Sequence, residues 1–193
     1  AWCDNPQVKI NAEALSDVIP GEFYAINRTW KNNDVVTVNF PMRIKVHEEM
    51  NNAVSIQRGP IVYSLKIDEN WSVRNDYGNG FYEYEVFPAS AWNYALLIDK
   101  NNPESSFQVN KTPMPENPYE QANTPITLNA DAKRVDSWSL SFNGCIANDP
   151  PYGPIESESN RTYKVTLVPY GAETLRATVL PVIGTNVMIT DEF

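Results

Sequence analysis

The stretch Asp34-Val35-Val36-Thr37-Val38-Asn39-Phe40-Pro41-Met42-Arg43-Ile44-Lys45-Val46 decides the fold class. Apolar side chains recur at every second position on both sides of Pro41, the spacing that places alternate residues on one face of a strand. After Pro41 the apolar residues alternate with Arg43 and Lys45, which is typical of a strand with one buried face. Proline cannot donate a backbone hydrogen bond, so Pro41 marks a turn or bulge. The stretch therefore predicts two short strands.

The same period of two recurs along the rest of the chain in short segments separated by Gly, Pro, Asn and Asp. Further candidate strands cover residues 7–11, 23–28, 53–57, 60–67, 81–87, 93–98, 105–110, 125–129, 138–142, 162–168, 174–180 and 186–190. Many short strands with turn signals between them predict an all-β fold, an antiparallel β-sandwich of the jelly-roll kind. The proline-rich segments 111–125 and 147–161 are predicted to be long surface loops.

Length and charge exclude several classes of protein. The 193 residues are enough for one domain or two small ones. With 15 basic and 24 acidic side chains the net charge is −9, and because like charges repel, no nucleic-acid partner is expected. No run of about 18 apolar residues occurs, so no membrane partner is expected either.

The chain offers few groups for metal binding or nucleophilic catalysis. It has one histidine, His47, predicted to be a solvated residue at a strand end, and two cysteines, Cys3 and Cys145. A metal site needs several convergent ligands, so neither a metal nor a cofactor is predicted. Acidic residues are abundant, but their spacing does not single out a catalytic pair. No catalytic residue is assigned, and the sequence leaves open whether the two cysteines form a disulfide.

Aromatic residues suggest a different kind of site. Exposed Trp and Tyr side chains stack on sugar rings while neighbouring polar groups bind the hydroxyls. The residues that suit such a surface are Trp71, Tyr77, Tyr82, Tyr84 and Trp92, which lie among several Asn and Asp residues. β-Sandwich cores also use Trp and Tyr, so core packing and ligand contact both remain open for these side chains.

Three parts of the sequence together resemble one family. They are Pro20-Gly21-Glu22-Phe23-Tyr24 with Trp30 to Met42, the segment Ala53-Val54-Ser55-Ile56-Gln57-Arg58-Gly59-Pro60-Ile61-Val62-Tyr63, and Val168-Pro169-Tyr170-Gly171. The opening from Ala1 to Asn11 is also similar, although Ala12 stands where the family usually has Gly. These segments resemble the C-terminal β-sandwich region of glycoside hydrolase family 127 (GH127), the β-L-arabinofuranosidases and their relatives.

The resemblance implies a division of the chain and a partner. Residues 1–67 with 162–193 would form a first sandwich, and residues 68–161 would form a second one inserted into it. Catalysis in the family takes place in an (α/α)6 barrel upstream, at a cysteine-rich zinc site with a glutamate. Nothing in this chain matches that barrel, so no catalytic residue is carried over. The expected partner is such a barrel in the same polypeptide, and a periplasmic or secreted location is favoured.

Two functions follow from this resemblance and from the residues. The first is a non-catalytic accessory region that supports the barrel of a glycoside hydrolase. The alternative is an autonomous carbohydrate-binding module that holds arabinose-containing glycans. Two roles are open for Arg58: it lies in the tight Gly59-Pro60 entry into a strand, or it contacts the neighbouring domain and pairs with a carboxylate.

Overall fold

A computed structural model describes residues 2–99, 101–141, 147–158 and 160–184. Within these ranges the regular structure consists of thirteen β-strands and a few short 3-10 turns, without an α-helix. Almost all strand pairs are antiparallel. The predicted all-β, antiparallel, sandwich-like fold is confirmed. The chain forms two compact units, residues 1–44 with 58–60 and residues 45–57 with 61–193.

The first unit contains a three-stranded antiparallel sheet. Its strands are β1 (Gln7–Ile10), β2 (Glu13–Ala14) and β3 (Val36–Asn39), in the order β2-β1-β3. Val8 lies opposite Val38 and Ile10 lies opposite Val36. The two β1 residues are buried, whereas Val36 and Val38 are 41% and 48% exposed. The apolar side chains predicted to share one face of residues 34–40 do so on β3, but they are exposed to solvent. The β1 residues opposite them are buried.

A hydrogen-bond network fixes the chain where it enters β3. The carboxylate of Asp34 accepts hydrogen bonds from Asn11 Nδ2 at 2.7 Å and from the backbone N–H of Lys31 at 2.8 Å, and Arg28 lies 3.6 Å away. Asn11 Oδ1 in turn accepts from the N–H of Val35. The Lys31 and Asn11 hydrogen bonds hold the pKa of Asp34 below its usual value, although desolvation opposes them.

The second unit is built on an eight-stranded sheet. Its strands are β4 (Ile44–Glu48), β5 (Val54–Arg58), β6 (Ile61–Leu65), β9 (Tyr94–Leu97), β10 (Phe107–Lys111), β11 (Ile126–Arg134), β12 (Tyr163–Pro169) and β13 (Val182–Ile183). The order is β13-β9-β11-β12-β6-β5-β4, with β10 also paired to β11. One pair, β13 with β9, is parallel. Large aliphatic side chains that are almost completely buried form the core: Leu65, Leu96, Leu128, Leu167 and Val182.

The second unit also contains a two-stranded ribbon, β7 (Glu69–Asp76) and β8 (Tyr82–Pro88). The two strands are antiparallel, with an irregular register between Val73 and Asn75. None of the residues of either strand is buried. An isolated two-stranded ribbon is marginal in water, so side-chain contacts within it and hydrogen bonds to the rest of the unit are needed to stabilise it.

The structure differs from several sequence predictions. Residues 23–28 and 174–180 are not strands apart from an isolated bridge at Leu180, and β7 was not predicted as a strand. His47 lies within β4 and is half-buried, instead of being a solvated strand-end residue. The predicted strand at 186–190 lies outside the described residues, as does part of the one at 138–142.

The predicted insertion of residues 68–161 into a first sandwich stays a prediction. Within this segment, β7 and β8 form their own ribbon, whereas β11 pairs with β12 in the large sheet.

Candidate functional site

The ribbon carries a row of aromatic side chains on one face. In the register of the two strands, Val73 lies opposite Tyr84 and Trp71 lies opposite Val86, and Tyr82 follows on the same side. The rings of Trp71 and Tyr84 meet edge to face at a centroid distance of 5.6 Å, and those of Tyr82 and Tyr84 lie 6.0 Å apart. We call Trp71, Val73, Tyr82, Tyr84 and Val86 the aromatic face.

The aromatic face is open to solvent. Trp71 is 51% exposed, Tyr82 46% and Tyr84 48%. Core packing, one of the two interpretations that the sequence left open, therefore does not apply to Trp71, Tyr82 and Tyr84. Contiguous exposed aromatic surface of this kind is uncommon unless it contacts a ligand or another protein surface.

The opposite face of the ribbon is charged and internally paired. Arg74 lies 3.5 Å from Glu83 and 3.8 Å from Glu85. Glu83 also accepts hydrogen bonds from Asn75 Nδ2 and from the hydroxyl of Tyr77 at 2.8 Å. The hydrogen bonds from Asn75 and Tyr77 hold the pKa of Glu83 below its usual value. Tyr77, a predicted sugar contact, is thus bonded to the charged side of the ribbon.

Trp71 is held in place at the start of the ribbon. Its indole Nε1 donates a hydrogen bond to Glu69 Oε2 at 2.9 Å. The other oxygen of Glu69 accepts hydrogen bonds from the backbone N–H groups of Thr174 and Leu175, at 2.9 and 3.1 Å. Because Glu69 connects Trp71 to a backbone segment outside the ribbon, the ring orientation is restricted.

A concave site lies beside the end of the ribbon. This Trp92 cavity has a volume of about 420 Å³ and is lined by residues that include Trp92, Trp138, Arg134 and Asp136. The two tryptophan rings meet edge to face at 4.9 Å, and Arg134 Nε lies 3.1 Å from Asp136 Oδ1. The site therefore combines an aromatic wall with a charged pair.

Buried hydrogen bonds fix the loop that carries Trp138 and Asp136. Asn93 is 8% exposed, and its Nδ2 donates to the carbonyl oxygens of Val135 and Trp138 at 2.8 and 3.1 Å. Glu158 accepts from the N–H of Asp136 at 2.8 Å and from both the N–H and the hydroxyl of Ser137. These hydrogen bonds hold the pKa of Glu158 below its usual value, and the bond from the Ser137 hydroxyl has the largest effect.

A second cavity, of about 410 Å³, adjoins both surfaces. It shares Trp92, Pro88 and Leu140 with the Trp92 cavity and includes Val86 of the aromatic face. Most of its remaining lining is apolar, with Phe87 and Leu175 among the residues. The aromatic face and the Trp92 cavity are therefore linked through shared residues within the second unit.

A buried carboxyl group lies close to Glu69. Glu173 is 3% exposed, and both of its carboxylate oxygens accept from Gln121 Nε2, at 3.1 and 3.0 Å. Desolvation raises the pKa of Glu173 to about 7, against the hydrogen bonds from Gln121 and the backbone of Ile67. Repulsion from Glu69 adds to the rise and attraction by Lys66 opposes it.

This raised pKa predicts a pH-dependent stability. The folded chain holds a proton on Glu173 that the unfolded chain releases near pH 4.5, so stability is lost as the pH rises from about 4.5 through 7. Glu173→Gln keeps an acceptor for Gln121 without the charge. We expect it to raise the free energy of unfolding by about 1–3 kcal/mol at pH 8 and to have little effect at pH 4. Urea unfolding at both pH values measures this.

The control for this experiment is Glu116→Gln, which removes an exposed carboxylate. A similar stability change in both variants at pH 8 would trace the effect to net charge and not to the buried position of Glu173.

The remaining predicted site residues lie elsewhere. Arg58 Nη1 is 3.4 Å from Met42 Sδ, and its predicted contact with a neighbouring domain stays a proposal. Cys3 is buried. Cys145 lies outside the described residues, so whether the two cysteines form a disulfide stays open. In the described ranges, no group of three or more His, Cys, Asp or Glu side chains is arranged to hold a metal, and no helix is long and apolar enough to span a membrane.

The sequence reasoning missed several members of these sites. Arg134, Asp136 and Trp138 come from one loop, but nothing in their spacing shows that this loop meets Trp92. Glu173 follows Pro169-Tyr170-Gly171, which predicts a turn, and turns are normally solvated. Only the apolar residues that follow, such as Leu175, hinted at burial in this region.

Known proteins share both sequence and fold with this chain. The model for the middle domain of GH127 β-L-arabinofuranosidases matches residues 1–42. No curated protein sequence matches the chain. Among solved structures, a glycoside hydrolase is 24% identical with a TM-score of 0.55, and the alignment covers 95% of this chain and 26% of that one.

Two further structures are GH127 enzymes. One is a β-L-arabinofuranosidase from Geobacillus stearothermophilus T6, with 26% identity, a TM-score of 0.47, and 92% of this chain aligned to 24% of that one. The other is a β-arabinofuranosidase, with 20% identity, a TM-score of 0.50, and 92% of this chain aligned to 23% of that one. The chain thus spans about a quarter of the length of these structures.

The family model supports the resemblance on residues 1–42, and two of the solved structures share the fold over more than nine-tenths of the chain. The predicted resemblance of this chain to the β-sandwich region of GH127 proteins is therefore confirmed.

Proposed function

We propose that the chain is a non-catalytic accessory β-sandwich region of a glycoside hydrolase and supports a catalytic (α/α)6 barrel in the same polypeptide. The observation that carries this proposal is the apolar surface of the segment that matches the GH127 middle domain. Within residues 1–42, large apolar side chains stand in solvent, among them Phe23 at 107% exposure, Trp30 at 50% and Phe40 at 50%.

The β3 strand extends this surface. Val36 and Val38 share one face of β3 with Phe40, and Phe40 contacts Trp2 at a ring distance of 5.7 Å. Covering apolar area stabilises a protein by about 25 cal/mol per Å², so leaving these side chains in water forgoes that free energy. A barrel packed on this face would gain it. Such a surface supports a role in packing against another part of a larger polypeptide.

Deletion of residues 1–193 from the longer polypeptide tests the proposal. We expect the truncated enzyme to unfold at a lower temperature and to lose most of its glycosidase activity. A milder test replaces Val38 with Ser in the complete enzyme, with Val62→Ser, on the partly exposed β6, as the matched control. An enzyme that keeps its melting temperature and activity without residues 1–193 contradicts an accessory role.

The aromatic face favours a second candidate function, an autonomous carbohydrate-binding module for arabinose-containing glycans. Three exposed rings, those of Trp71, Tyr84 and Tyr82, follow one another at distances of 5.6 and 6.0 Å. A row of rings at this spacing suits successive sugar rings that stack through their C–H faces. The two functions are compatible, because they use different units of the chain.

A further inference from the structure

We propose that the Trp92 cavity is a binding subsite for one neutral sugar unit of an oligosaccharide whose next units lie toward the aromatic face. The sugar ring would pack on Trp92, which the buried Trp138 supports from behind, with Arg134 and Asp136 binding its hydroxyl groups. This inference rests on the carbohydrate-binding candidate function and adds to it a specific pocket, its polar partners and a direction for the bound chain.

The size and walls of the cavity fit this ligand. A volume of about 420 Å³ lies within the usual range for small-molecule sites of about 300–1,000 Å³. Trp92 is half-buried and provides the ring surface, while Trp138, only 6% exposed, packs edge to face against it at 4.9 Å and fixes its orientation. A sugar ring has one apolar C–H face, and an indole is the largest flat surface that a protein can place against it.

The polar groups match hydroxyls better than a charged ligand. Arg134 uses Nε for the ion pair with Asp136, and its two Nη groups supply further hydrogen-bond donors. Asp136, whose side chain is 76% exposed, supplies carboxylate acceptors. A hydroxyl group both donates and accepts hydrogen bonds, so the Arg134–Asp136 pair can bind two neighbouring hydroxyl groups of one sugar. Because the two charges balance and the chain carries a net charge of −9, an anionic ligand is disfavoured.

The cavity is organised before any ligand arrives. Asn93 fixes the carbonyl groups of Val135 and Trp138 from the buried side, and Glu158 holds the backbone of Asp136. The indole Nε1 of Trp138 donates to the carbonyl oxygen of Asn148 at 2.8 Å. A loop held by this many hydrogen bonds loses little conformational entropy on binding, which favours affinity.

The direction of the bound chain follows from shared residues. The second cavity contains both Trp92 and Val86, and Val86 belongs to the aromatic face together with Trp71. A ligand that extends from the Trp92 cavity across this apolar cavity therefore reaches the exposed rings. A longer oligosaccharide contacts more of this path, so affinity is expected to increase with its length.

Titration calorimetry of the chain with arabinose and with linear arabino-oligosaccharides of three and five units tests the proposal. We expect binding of the oligosaccharides, tighter for the longer one. Asp136→Ala removes an exposed side chain and should weaken binding about 10-fold, because a hydrogen bond to a charged group is lost. Trp92→Ala should abolish measurable binding, and Trp92→Phe should restore part of it. Asp149→Ala, an exposed carboxylate outside the cavity, is the matched control for charge.

Trp71→Ala separates the cavity from the aromatic face. With the cavity as the primary subsite, this variant keeps trisaccharide binding and loses the gain of the five-unit ligand. Equal binding by wild type, Asp136→Ala and Trp92→Phe together with loss in Trp71→Ala would overturn the cavity while keeping carbohydrate binding. No heat of binding at millimolar sugar would overturn both the Trp92 cavity subsite and the carbohydrate-binding function. The accessory role would be unaffected, because the deletion experiment tests it separately.

Discussion

Leu128→Ala is expected to lower the free energy of unfolding by about 2–5 kcal/mol. Leu128 has no exposed surface and lies in β11 between two partner strands, opposite Val109 of β10 and Leu167 of β12. Removing three buried carbon atoms loses their transfer free energy and leaves a cavity, because strands held on both sides cannot move in to fill it. Urea denaturation followed by tryptophan fluorescence measures the loss.

Val62→Ala is the control for this substitution. Val62 lies in β6 but is 42% exposed, so truncating it should cost less than about 1 kcal/mol. A loss for Leu128→Ala no greater than that of Val62→Ala would contradict a tightly packed core around β11.

The strand pattern was predictable where one face of a strand is buried. β1, β5 and β12 all lie within predicted segments to within one residue, because an alternation of apolar and polar side chains reflects a sheet with two different faces. Residues 23–28 show the limit of this reasoning. Their run of apolar residues, Phe23 to Ile26, predicts a strand, but Phe23 is fully exposed and the segment has no partner strand among the described residues, so composition alone did not determine pairing.

The ribbon shows the opposite error, because β7 is a strand that the sequence pattern did not predict. β7 carries Ser72, Arg74 and Asn75 between its apolar residues, a composition that resembles a loop. It is a strand because it pairs with β8 and because Arg74 forms ion pairs with Glu83 and Glu85 across the ribbon. Such cross-strand pairs depend on the register, which cannot be read from the sequence of one strand.

The candidate sites also contain some residues whose grouping the sequence predicts and others whose grouping it does not. The grouping of Trp71, Tyr82 and Tyr84 was predictable, since a local run of aromatic residues stays local once it forms a ribbon, and their contact with a ligand stays a proposal. The Trp92 cavity needs Trp138 and Asp136 from a loop more than forty residues away, and Glu173 is buried by Gln121 from a proline-rich segment. Those partners are brought together by tertiary contacts and leave no periodic signal in the sequence.

Gly59→Ala is expected to lower the free energy of unfolding by about 2–4 kcal/mol. Gly59 and Pro60 join β5 to β6, and Gly59 has a φ of 59°, the sign that a type II′ turn requires at its first central position. A side chain is strained in this conformation. A Cβ would also lie 2.7 Å from Met42 Cγ and 2.9 Å from its Sδ, so Met42 would have to move away from Arg58.

Three further variants separate strain from collision: Gly21→Ala, Met42→Ala and the Gly59→Ala/Met42→Ala double variant. Gly21 also has a positive φ, 81°, but a Cβ there meets no atom within 4 Å, so Gly21→Ala reports backbone strain alone and should cost about 1–2 kcal/mol. Adding Met42→Ala to Gly59→Ala removes the colliding atoms, and the double variant should lose less stability than the sum of the two single losses. Thermal unfolding of all four variants and the wild type measures these differences. Equal losses for Gly59→Ala and Gly21→Ala, with strict additivity in the double variant, would show that contact with Met42 does not explain why this turn has Gly before Pro.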